Sequence, residues 1–267
     1  MKTSDFQKLV WDFYKQNKRN FPWRETTNPY FIFISEVCLQ QTQTARVVEK
    51  YNEIITTFPT VQLLADAPFS EVLRVWSGLG YNRRAKYMHT AAQIIVEKYQ
   101  RVFPQSIELL DELPGVGLNT AAAIVVYAFN MPQVFIETNI RRIFIHHFFS
   151  DKKAVSDREL LPLVEKTMDT AHPREWYWAL MDYGSHLPKI VTNPNRKSTH
   201  YSKQSKFSGS VREVRGSILK ILVKEKNVTE AILKEKITGD KNHLPAALKS
   251  LISEKMIVKK SGVFTLQ

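Results

Sequence analysis

Glu36 is the only charged residue in the apolar segment from Tyr30 to Leu39. If this segment is a helix, the carboxyl group of Glu36 is partly removed from water, which disfavours its ionised form and raises its pKa. A carboxylic acid that stays protonated near neutral pH can donate a proton to a leaving group. The segment therefore contains a candidate general acid. The alternative is a helix carboxylate on an exposed face.

Two glycines separated by one residue follow a Leu-Pro pair in Leu113-Pro114-Gly115-Val116-Gly117. Glycines let the backbone turn tightly and come close to a ligand. When such a turn precedes a helix, unpaired N–H groups point outward and suit a phosphate. The motif, with Thr120 after it, is typical of a helix–hairpin–helix, which holds a DNA backbone without reading its sequence. A plain helix–helix turn is the alternative.

Positive charge is concentrated in the last third of the chain. Residues 189–267 carry 17 Lys and Arg against 6 Asp and Glu, whereas residues 1–188 carry 21 against 20, so +11 of the total +12 lies in the last third. A basic module beside a near-neutral body indicates a polyanionic partner, most often nucleic acid. A solvated, solubilising face is the alternative.

The segments that must position these residues are predicted to be helical throughout residues 1–188. Apolar residues recur there at helical spacing, and prolines separate the segments. Helices are predicted over 69–79, 83–99, 117–129, 139–149, 157–169 and 173–187. Ser156 and Glu159 have the spacing of a capping box. Because strand-like alternation is absent, this region is predicted to be all-α.

Residues 189–210 are predicted to be a basic linker or irregular loop, since Asn, Ser, Thr, Lys and Pro dominate them. Three short helical patterns follow, at about 212–225, 228–237 and 243–254. Residues 256–266 then form two strand patterns around the Ser261-Gly262 turn. Three helices and a hairpin over 211–267 predict a small C-terminal α+β domain of the winged-helix type.

Length and composition exclude several classes of protein. The 267 residues favour two domains, at about 150 residues per domain, and 43% hydrophobic residues exclude a disordered chain. The longest apolar run, Ala121–Phe129, is shorter than the about 20 residues that span a bilayer, and the N-terminus lacks a secretion signal. One cysteine, Cys38, excludes an internal disulfide. We expect a soluble, intracellular protein of the cytoplasm, associated with the nucleoid in a bacterium.

Several further motifs occur together and in a recognisable order. They are Phe21-Pro22-Trp23-Arg24, Asn28-Pro29-Tyr30, Ser35–Gln43, Gly78-Leu79-Gly80-Tyr81, Leu113–Gly117 and Met181-Asp182-Tyr183-Gly184. In these motifs residues 6–188 resemble the helix–hairpin–helix (HhH-GPD) DNA glycosylases, most closely the adenine glycosylase branch, MutY. The resemblance implies a mainly α, two-lobed glycosylase domain over 1–188. Its six-helix lobe is expected at about 28–132, and its second lobe is expected to combine 1–27 with 133–188.

The resemblance also implies catalytic roles. Glu36 falls on the family's catalytic glutamate, which protonates a ring nitrogen of the leaving purine. Glu137, with Asn139 after it, falls where the family has an aspartate that stabilises the sugar cation, and it is one methylene longer. The alternative for Glu137 is a carboxylate that only favours a helix N-terminus. Asn119 falls where strand-cleaving glycosylases carry a Schiff-base lysine, so a monofunctional glycosylase is expected, without efficient cleavage at abasic sites.

A base inside a duplex must be flipped out to be reached. The resemblance implies the residues that do this: Gln41 as the wedge, Gln40 beside it, Tyr81 near the opposite base, and Trp23, Arg24 and Leu39 as walls of the base pocket. Without the resemblance, Gln40 and Gln41 are equally well explained as surface helix residues, and Tyr81 as the residue that closes a glycine-rich turn. Phosphate contacts are expected from the hairpin, from Lys197 in the basic loop and from Lys241 in the C-terminal module.

The family's iron–sulfur cluster is not expected here. Its four cysteine positions fall on Pro188, Asn195, Ser198 and Gln204, none of which supplies a thiolate. The winged-helix-like domain also stands in place of the domain with which the MutY branch recognises 8-oxoguanine. The resemblance further implies a structural Na⁺ or K⁺ at the backbone carbonyl groups of Leu113 and Val116.

The sequence therefore predicts a DNA glycosylase of base excision repair that acts on double-stranded DNA. Adenine opposite 8-oxoguanine or guanine is the first expected substrate. Because Glu137 and Asn119 depart from the family pattern, thymine or uracil opposite guanine, or another lesion, is an alternative. A damage sensor that binds DNA but has lost catalysis is a further alternative. The C-terminal module either adds affinity for the duplex or docks a protein partner, and we expect a monomer without membrane contact.

Overall fold

The computed structural model describes residues 1–203 and 206–267. Its body is built from α1 (Thr3–Asn17), α2 (Pro29–Leu39), α3 (Thr44–Thr57), α4 (Val61–Asp66), α5 (Phe69–Trp76), α6 (Arg83–Glu97), α7 (Ile107–Asp111), α8 (Leu118–Phe129), α9 (Thr138–Phe148), α10 (Asp157–Thr167) and α11 (Pro173–His186). Each of the six helices predicted in this region is present, and residues 1–188 contain no strand. Among the helices described, none is both long and apolar enough to cross a membrane.

The predicted capping box is confirmed at the start of α10. The backbone N–H of Ser156 donates to Glu159 Oε2 at 2.9 Å, and the Ser156 side chain pairs with the first turn of the helix. Each partner satisfies a backbone group that the helix itself leaves unpaired, which explains why the helix begins here.

Two compact units divide the chain. The first contains Met1–Phe33, Pro104–Glu112 and Val116–Lys203. The second contains Ile34–Phe103, Leu113–Gly115 and, among the described residues, 206–267. This grouping differs from the two expected lobes, because residues 116–132 belong to the first unit and 206–267 share the second unit with α3 to α6. The lobe bounds drawn from the resemblance stay a prediction.

Aromatic side chains fill the core of the first unit. The ring of Phe6 on α1 lies 5.1 Å from the ring of Phe144 on α9 and 6.2 Å from that of Trp176 on α11, and all three are fully buried. Helix α9 packs along α11. At the contact, a Cβ atom on Gly184 would lie 2.3 Å from the carbonyl oxygen of Asn139. Gly184 therefore sets the spacing between α11 and the first turn of α9.

Replacement of Gly184 by alanine is expected to lower the free energy of unfolding by about 3 kcal/mol, because the added methyl group overlaps backbone atoms. Thermal denaturation should show a Tm lower by roughly 10 °C. Gly216→Ala is the control, since Gly216 lies within the last long helix and nothing lies within 4 Å of a Cβ there. Equal Tm values for the two variants would contradict the packing argument.

The C-terminal module has the predicted three helices and hairpin. Its elements are α12 (Val211–Lys224), β1 (Val228–Thr229), α13 (Glu230–Lys236), α14 (Leu244–Ser253), β2 (Ile257–Lys260) and β3 (Val263–Leu266). The strands form an antiparallel sheet in the order β1-β3-β2. Ser261 and Gly262, with φ of 48° and 80°, make the tight turn between β2 and β3.

Strand β1 corrects one predicted boundary. A helix was expected from residue 228, but Val228 and Thr229 pair with Phe264 and Val263 of β3, and the helix begins at Glu230. The hydroxyl group of Thr229 caps this helix by accepting the N–H of Ile232. A two-residue strand carries no detectable alternation, so the pattern of α13 concealed it.

Within the second unit, the C-terminal module packs against the helices of the body. Helix α12 lies against α5. Arg215 on α12 forms a two-pronged ion pair with Glu254, at 2.9 and 2.6 Å. The backbone carbonyl of Glu254 accepts a hydrogen bond from Lys86 Nζ on α6 at 3.2 Å. These contacts fix the module to α5 and α6.

Candidate active site

Helix α2 carries Glu36 as its only charged residue. Ile32, Phe33, Ile34, Val37 and Cys38 are all buried. Glu36 is half-buried between the buried residues Ser35 and Val37, so its carboxyl group is neither fully exposed nor sealed from water. That position suits an acid that must meet a substrate, while the expected rise in its pKa stays a prediction.

The buried side chain of Arg84 holds the C-terminal end of α2. Its guanidinium donates to the carbonyl groups of Val37 and Cys38, both at 2.9 Å, and also to that of Gln40. The last carbonyls of a helix lack partners within the helix and favour a cation. A further bond at 2.9 Å reaches the hydroxyl group of Thr42. Arg84 therefore fixes the backbone at the end of α2, just after Glu36, and that of Gln40.

The two glutamines after α2 have different surroundings. Gln40 donates from Nε2 to the carbonyl of Gly115 at 3.0 Å, which joins it to the hairpin. Gln41 is exposed and has φ of 53°, a left-handed conformation that turns the chain away from the helix. The structure thus joins Gln40 to Gly115 of the hairpin, and Leu39 before it is half-buried. The role of Gln41 as the wedge stays a prediction.

Gly115 is required by close packing as well as by its backbone. Its φ is 77°, and a Cβ there would lie 2.8 Å from the Cβ of Tyr87 on α6. The other hairpin residues divide by burial: Leu113 and Val116 are buried, whereas Gly117 is exposed at the start of α8. Leu113 belongs to the second compact unit and Val116 to the first. The Na⁺ or K⁺ expected at their backbone carbonyl groups stays a prediction.

Glu137 caps helix α9 with its own carboxylate. Its Oε1 accepts the backbone N–H groups of Asn139 at 2.6 Å and Ile140 at 3.0 Å, and its Oε2 accepts the side-chain amide of Asn139 at 3.3 Å. Burial raises the pKa of Glu137, while these N–H groups and the guanidinium of Arg142 act in the opposite direction. The carboxylate is therefore rigidly held, which serves both a helix cap and a fixed negative charge.

The neighbours of Glu137 include the predicted residues Asn119 and Asn139. The side-chain oxygen of Asn119 accepts the backbone N–H of Ile136 at 3.4 Å. Arg142 donates to the side-chain oxygen of Asn139 at 2.9 Å and to the carbonyl of Gly184. Within the first unit, Glu137 and Asn139 thus lie at the start of α9, which Arg142 ties to Gly184. Asn119 on α8 contacts the backbone just before this helix.

A buried carboxylate anchors Arg24, next to Trp23. Arg24 forms a two-pronged ion pair with Asp182 at 2.8 and 2.9 Å, and Arg19 bonds to the same carboxylate at 2.6 Å. The Asp182 side chain is 0% exposed and that of Arg24 is 6% exposed. The Trp23 ring stacks on Phe21 with centroids 5.0 Å apart. Asp182 therefore positions Arg24. The role of Trp23 and Arg24 as pocket walls stays a prediction.

Hydrogen bonds hold the loop in which the resemblance would place an iron–sulfur cluster. Asn195 is buried and donates its side-chain amide to the carbonyl of Thr138, in the first turn of α9, at 2.9 Å. Val155 exchanges backbone hydrogen bonds with the loop, donating to Lys197 at 2.8 Å and accepting from Thr199 at 3.0 Å. Lys197 Nζ donates to the carbonyl of Ser150. These contacts hold residues 195–199 of the loop against the start of α9 and against residues 150–155.

The residues at the four cluster positions do not fit a cluster. Pro188 is exposed, Asn195 and Ser198 are buried, and Gln204 lies outside the described residues. Neither an amide nor a hydroxyl group replaces a thiolate on iron. Across residues 1–203 and 206–267, no group of three or more His, Cys, Asp or Glu side chains is placed to hold a metal ion.

Sequence reasoning missed Arg84 as a support of the end of α2, and it missed Arg142 and Asn195 as supports of the start of α9. The remaining predicted residues lie at the surface or near it: Thr120 is half-buried in the first turn of α8, and Tyr81 and Lys241 are exposed. Lys241 lies just before α14 in the C-terminal module. Its expected phosphate contact stays a prediction.

Comparison with known proteins agrees with this arrangement. Residues 34–166 match the HhH-GPD superfamily of base excision DNA repair proteins. An adenine DNA glycosylase of Mycobacterium tuberculosis (strain CDC 1551 / Oshkosh) is 31% identical over 283 residues, which cover 96% of this chain and 90% of that protein. An adenine DNA glycosylase of Buchnera aphidicola subsp. Baizongia pistaciae (strain Bp) is 33% identical over 73% of this chain, and the chain spans 56% of its length.

A solved structure shares the fold. The structure of a thermostable thymine-DNA glycosylase superposes with a TM-score of 0.63 and 23% sequence identity, covering 73% of this chain and 91% of that one. The helical body, the hairpin motif and these matches lead to one conclusion: the chain belongs to the HhH-GPD superfamily of base excision DNA repair proteins.

Proposed function

We propose that this protein is a monofunctional DNA glycosylase that removes a mispaired or damaged base from double-stranded DNA, with adenine opposite 8-oxoguanine or guanine as its first substrate. The observation that carries the proposal is Glu36, a single half-buried acid in an otherwise apolar helix. The hydrogen bond from Gln40 to Gly115 joins the end of this helix to the hairpin, which supports a nucleic-acid substrate. The relatives named adenine DNA glycosylase support the choice of base.

In the proposed reaction, Glu36 gives its proton to a ring nitrogen of the flipped purine. The bond between that base and C1′ of the deoxyribose breaks, and its electron pair leaves with the base. The carboxylate of Glu137 stabilises the positive charge that remains on the sugar. Water then adds to C1′ and gives up a proton to the Glu36 carboxylate, which restores the acid.

A panel of labelled duplexes tests this proposal. Each duplex contains one mispair: adenine opposite 8-oxoguanine, adenine opposite guanine, thymine opposite guanine, or uracil opposite guanine. After incubation, alkali cleaves the strand wherever a base has been removed. We expect product from the two adenine duplexes. Product only from the thymine or uracil duplex would correct the substrate, and no product from any duplex would overturn the enzymatic function.

A DNA-binding damage sensor without catalysis is the second candidate. It is favoured by the hydrogen bonds of Glu137, because both carboxylate oxygens already serve the start of α9. Binding measurements on the same duplexes separate the two functions. Tight binding of a mispair without base removal supports the sensor, and base removal excludes it.

The absence of an amine at position 119 gives a further prediction. The wild-type protein should form no covalent complex with substrate DNA in the presence of borohydride, because Asn119 cannot form a Schiff base. Asn119→Lys should yield a trapped complex, since Asn119 is hydrogen-bonded to the backbone of Ile136, next to Glu137. Asn52→Lys, an exposed change on α3, is the control. Trapping of the wild-type protein would contradict monofunctional chemistry.

We also propose that the protein works as a monomer without an iron–sulfur cluster, and with a structural Na⁺ or K⁺ at the hairpin. Its substrate would be chromosomal DNA, so we place it inside the cell, in the cytoplasm. The exposed lysines of the C-terminal module, among them Lys241 and Lys249, support duplex binding by this module in preference to a protein partner.

A further inference from the structure

Tyr81 is an exposed aromatic residue held in a strained conformation. Its φ is 48°, and it follows Gly78 and Gly80, whose φ values are 103° and 72°. A bulky residue in the left-handed region costs about 1–2 kcal/mol and persists only where its surroundings hold it. Nevertheless the side chain is 37% exposed. The fold therefore holds this ring at the surface at a cost in conformational free energy.

Two guanidinium groups lie against the ring. The guanidinium carbon of the buried Arg84 lies 5.5 Å from its centroid, and that of Arg212 lies 6.0 Å away. Arg212 Nη1 also donates to the Tyr81 hydroxyl at 3.2 Å. The tight turn itself is fixed by Trp76, whose Nε1 donates to the carbonyl of Gly80 at 2.9 Å. The ring thus lies close to a buried cation, Arg84, and to a second cation nearer the surface, Arg212.

Arg212 comes from the C-terminal module and not from the helices that carry the hairpin. It lies in the first turn of α12, the helix that packs against α5. The guanidinium of Arg212 also bonds to the backbone of Lys206, since Nη2 donates to the Lys206 carbonyl at 3.3 Å. The module therefore places a positive charge beside the exposed ring and its hydroxyl group.

We propose that Arg212 is a DNA-binding residue, contributed by the C-terminal module, that contacts a backbone phosphate next to a nucleotide lying on the Tyr81 ring. This inference rests on the proposed function. An exposed ring with a guanidinium bonded to its hydroxyl group matches the two parts of a nucleotide, because a base stacks on an aromatic face and a phosphate accepts from arginine. The hydroxyl of Tyr81 orients Arg212 for this contact.

A salt titration tests the proposal with the full-length protein. The Kd is measured for a duplex with a tetrahydrofuran abasic-site analogue, which the enzyme cannot cleave. Arg212→Gln should weaken binding about tenfold, as expected for one charge-assisted hydrogen bond. It should also reduce the slope of log Kd against log salt by about one, the signature of one lost phosphate contact. Lys8→Gln, an exposed charge on α1, should change neither.

Two more variants separate a DNA contact from a merely structural clamp. Arg212→Lys keeps the charge and should restore the salt slope. Tyr81→Phe removes only the hydroxyl and should weaken binding in the wild-type protein but not in Arg212→Gln, so that the two changes are not additive. A lower Tm of Arg212→Gln with an unchanged salt slope would overturn the proposal. Failure of the wild-type protein to bind any duplex would instead overturn the proposed function.

Discussion

Glu36→Gln is expected to lower the single-turnover rate of base removal by about 10²- to 10⁴-fold, the usual contribution of a general acid. Glutamine keeps the size of the side chain and its place on α2 but cannot release the proton that the leaving base needs. Binding of the duplex should persist, because the hairpin and Gln40 are untouched. The rate is measured with enzyme in excess over the labelled adenine duplex, and binding by fluorescence anisotropy.

The same chemical change on a neighbouring helix provides the control. Glu49 is an exposed residue of α3, and Glu49→Gln should leave both rate and binding unchanged. If Glu36→Gln retains the wild-type rate, proton donation by this residue is wrong. If it loses binding together with the rate, Glu36 acts on the fold and not on the leaving base.

Asp182→Ala is expected to lower the free energy of unfolding by about 3–5 kcal/mol. The carboxylate is fully buried and holds Arg19 and Arg24, so its removal leaves the buried Arg24 charge without compensation. A loss of this size corresponds to a Tm lower by roughly 10 °C. Thermal and urea denaturation measure it, and Asp182→Asn, which keeps one acceptor oxygen, should lose less.

An exposed ion pair offers the matched comparison. Asp12 pairs with Lys15 at 3.7 Å on the surface of α1. Because exposed pairs contribute about 0–1 kcal/mol, Asp12→Ala should scarcely move the Tm. An equal effect of the two substitutions would show that burial does not strengthen the Asp182 contacts.

The elements of this fold could be predicted because their signals are local. Ser156 and Glu159 mark the start of α10 within four residues of sequence, and the Ser261-Gly262 pair marks the turn of the hairpin. Glu36 stood out as a charge in an apolar run, and it is half-buried as that pattern suggests. Each of these inferences needed only neighbouring residues and the period of a helix or strand.

The supports of the candidate site could not be predicted because their partners are distant along the chain. Arg24 and Asp182 are 158 residues apart, Arg84 and Cys38 are 46 apart, and Asn195 and Thr138 are 57 apart. No periodicity relates such pairs, so their contacts depend on the tertiary fold. The resemblance drew attention to Trp23, Arg24 and Asp182 as motif residues, but the buried ion pair that joins two of them became apparent only from the coordinates.

Because α12 packs on α5, we expect the C-terminal module, residues 211–267, to fold cooperatively with the rest of the second unit. Helix α5 buries Phe69, Val72, Leu73, Val75 and Trp76, and a chain cut before Val211 would leave its contact with α12 facing water. Trp76 also supports the turn that presents Tyr81. Evolutionary exchange of this module for another would therefore require compensating changes in α5 and would disturb an aromatic residue at the surface.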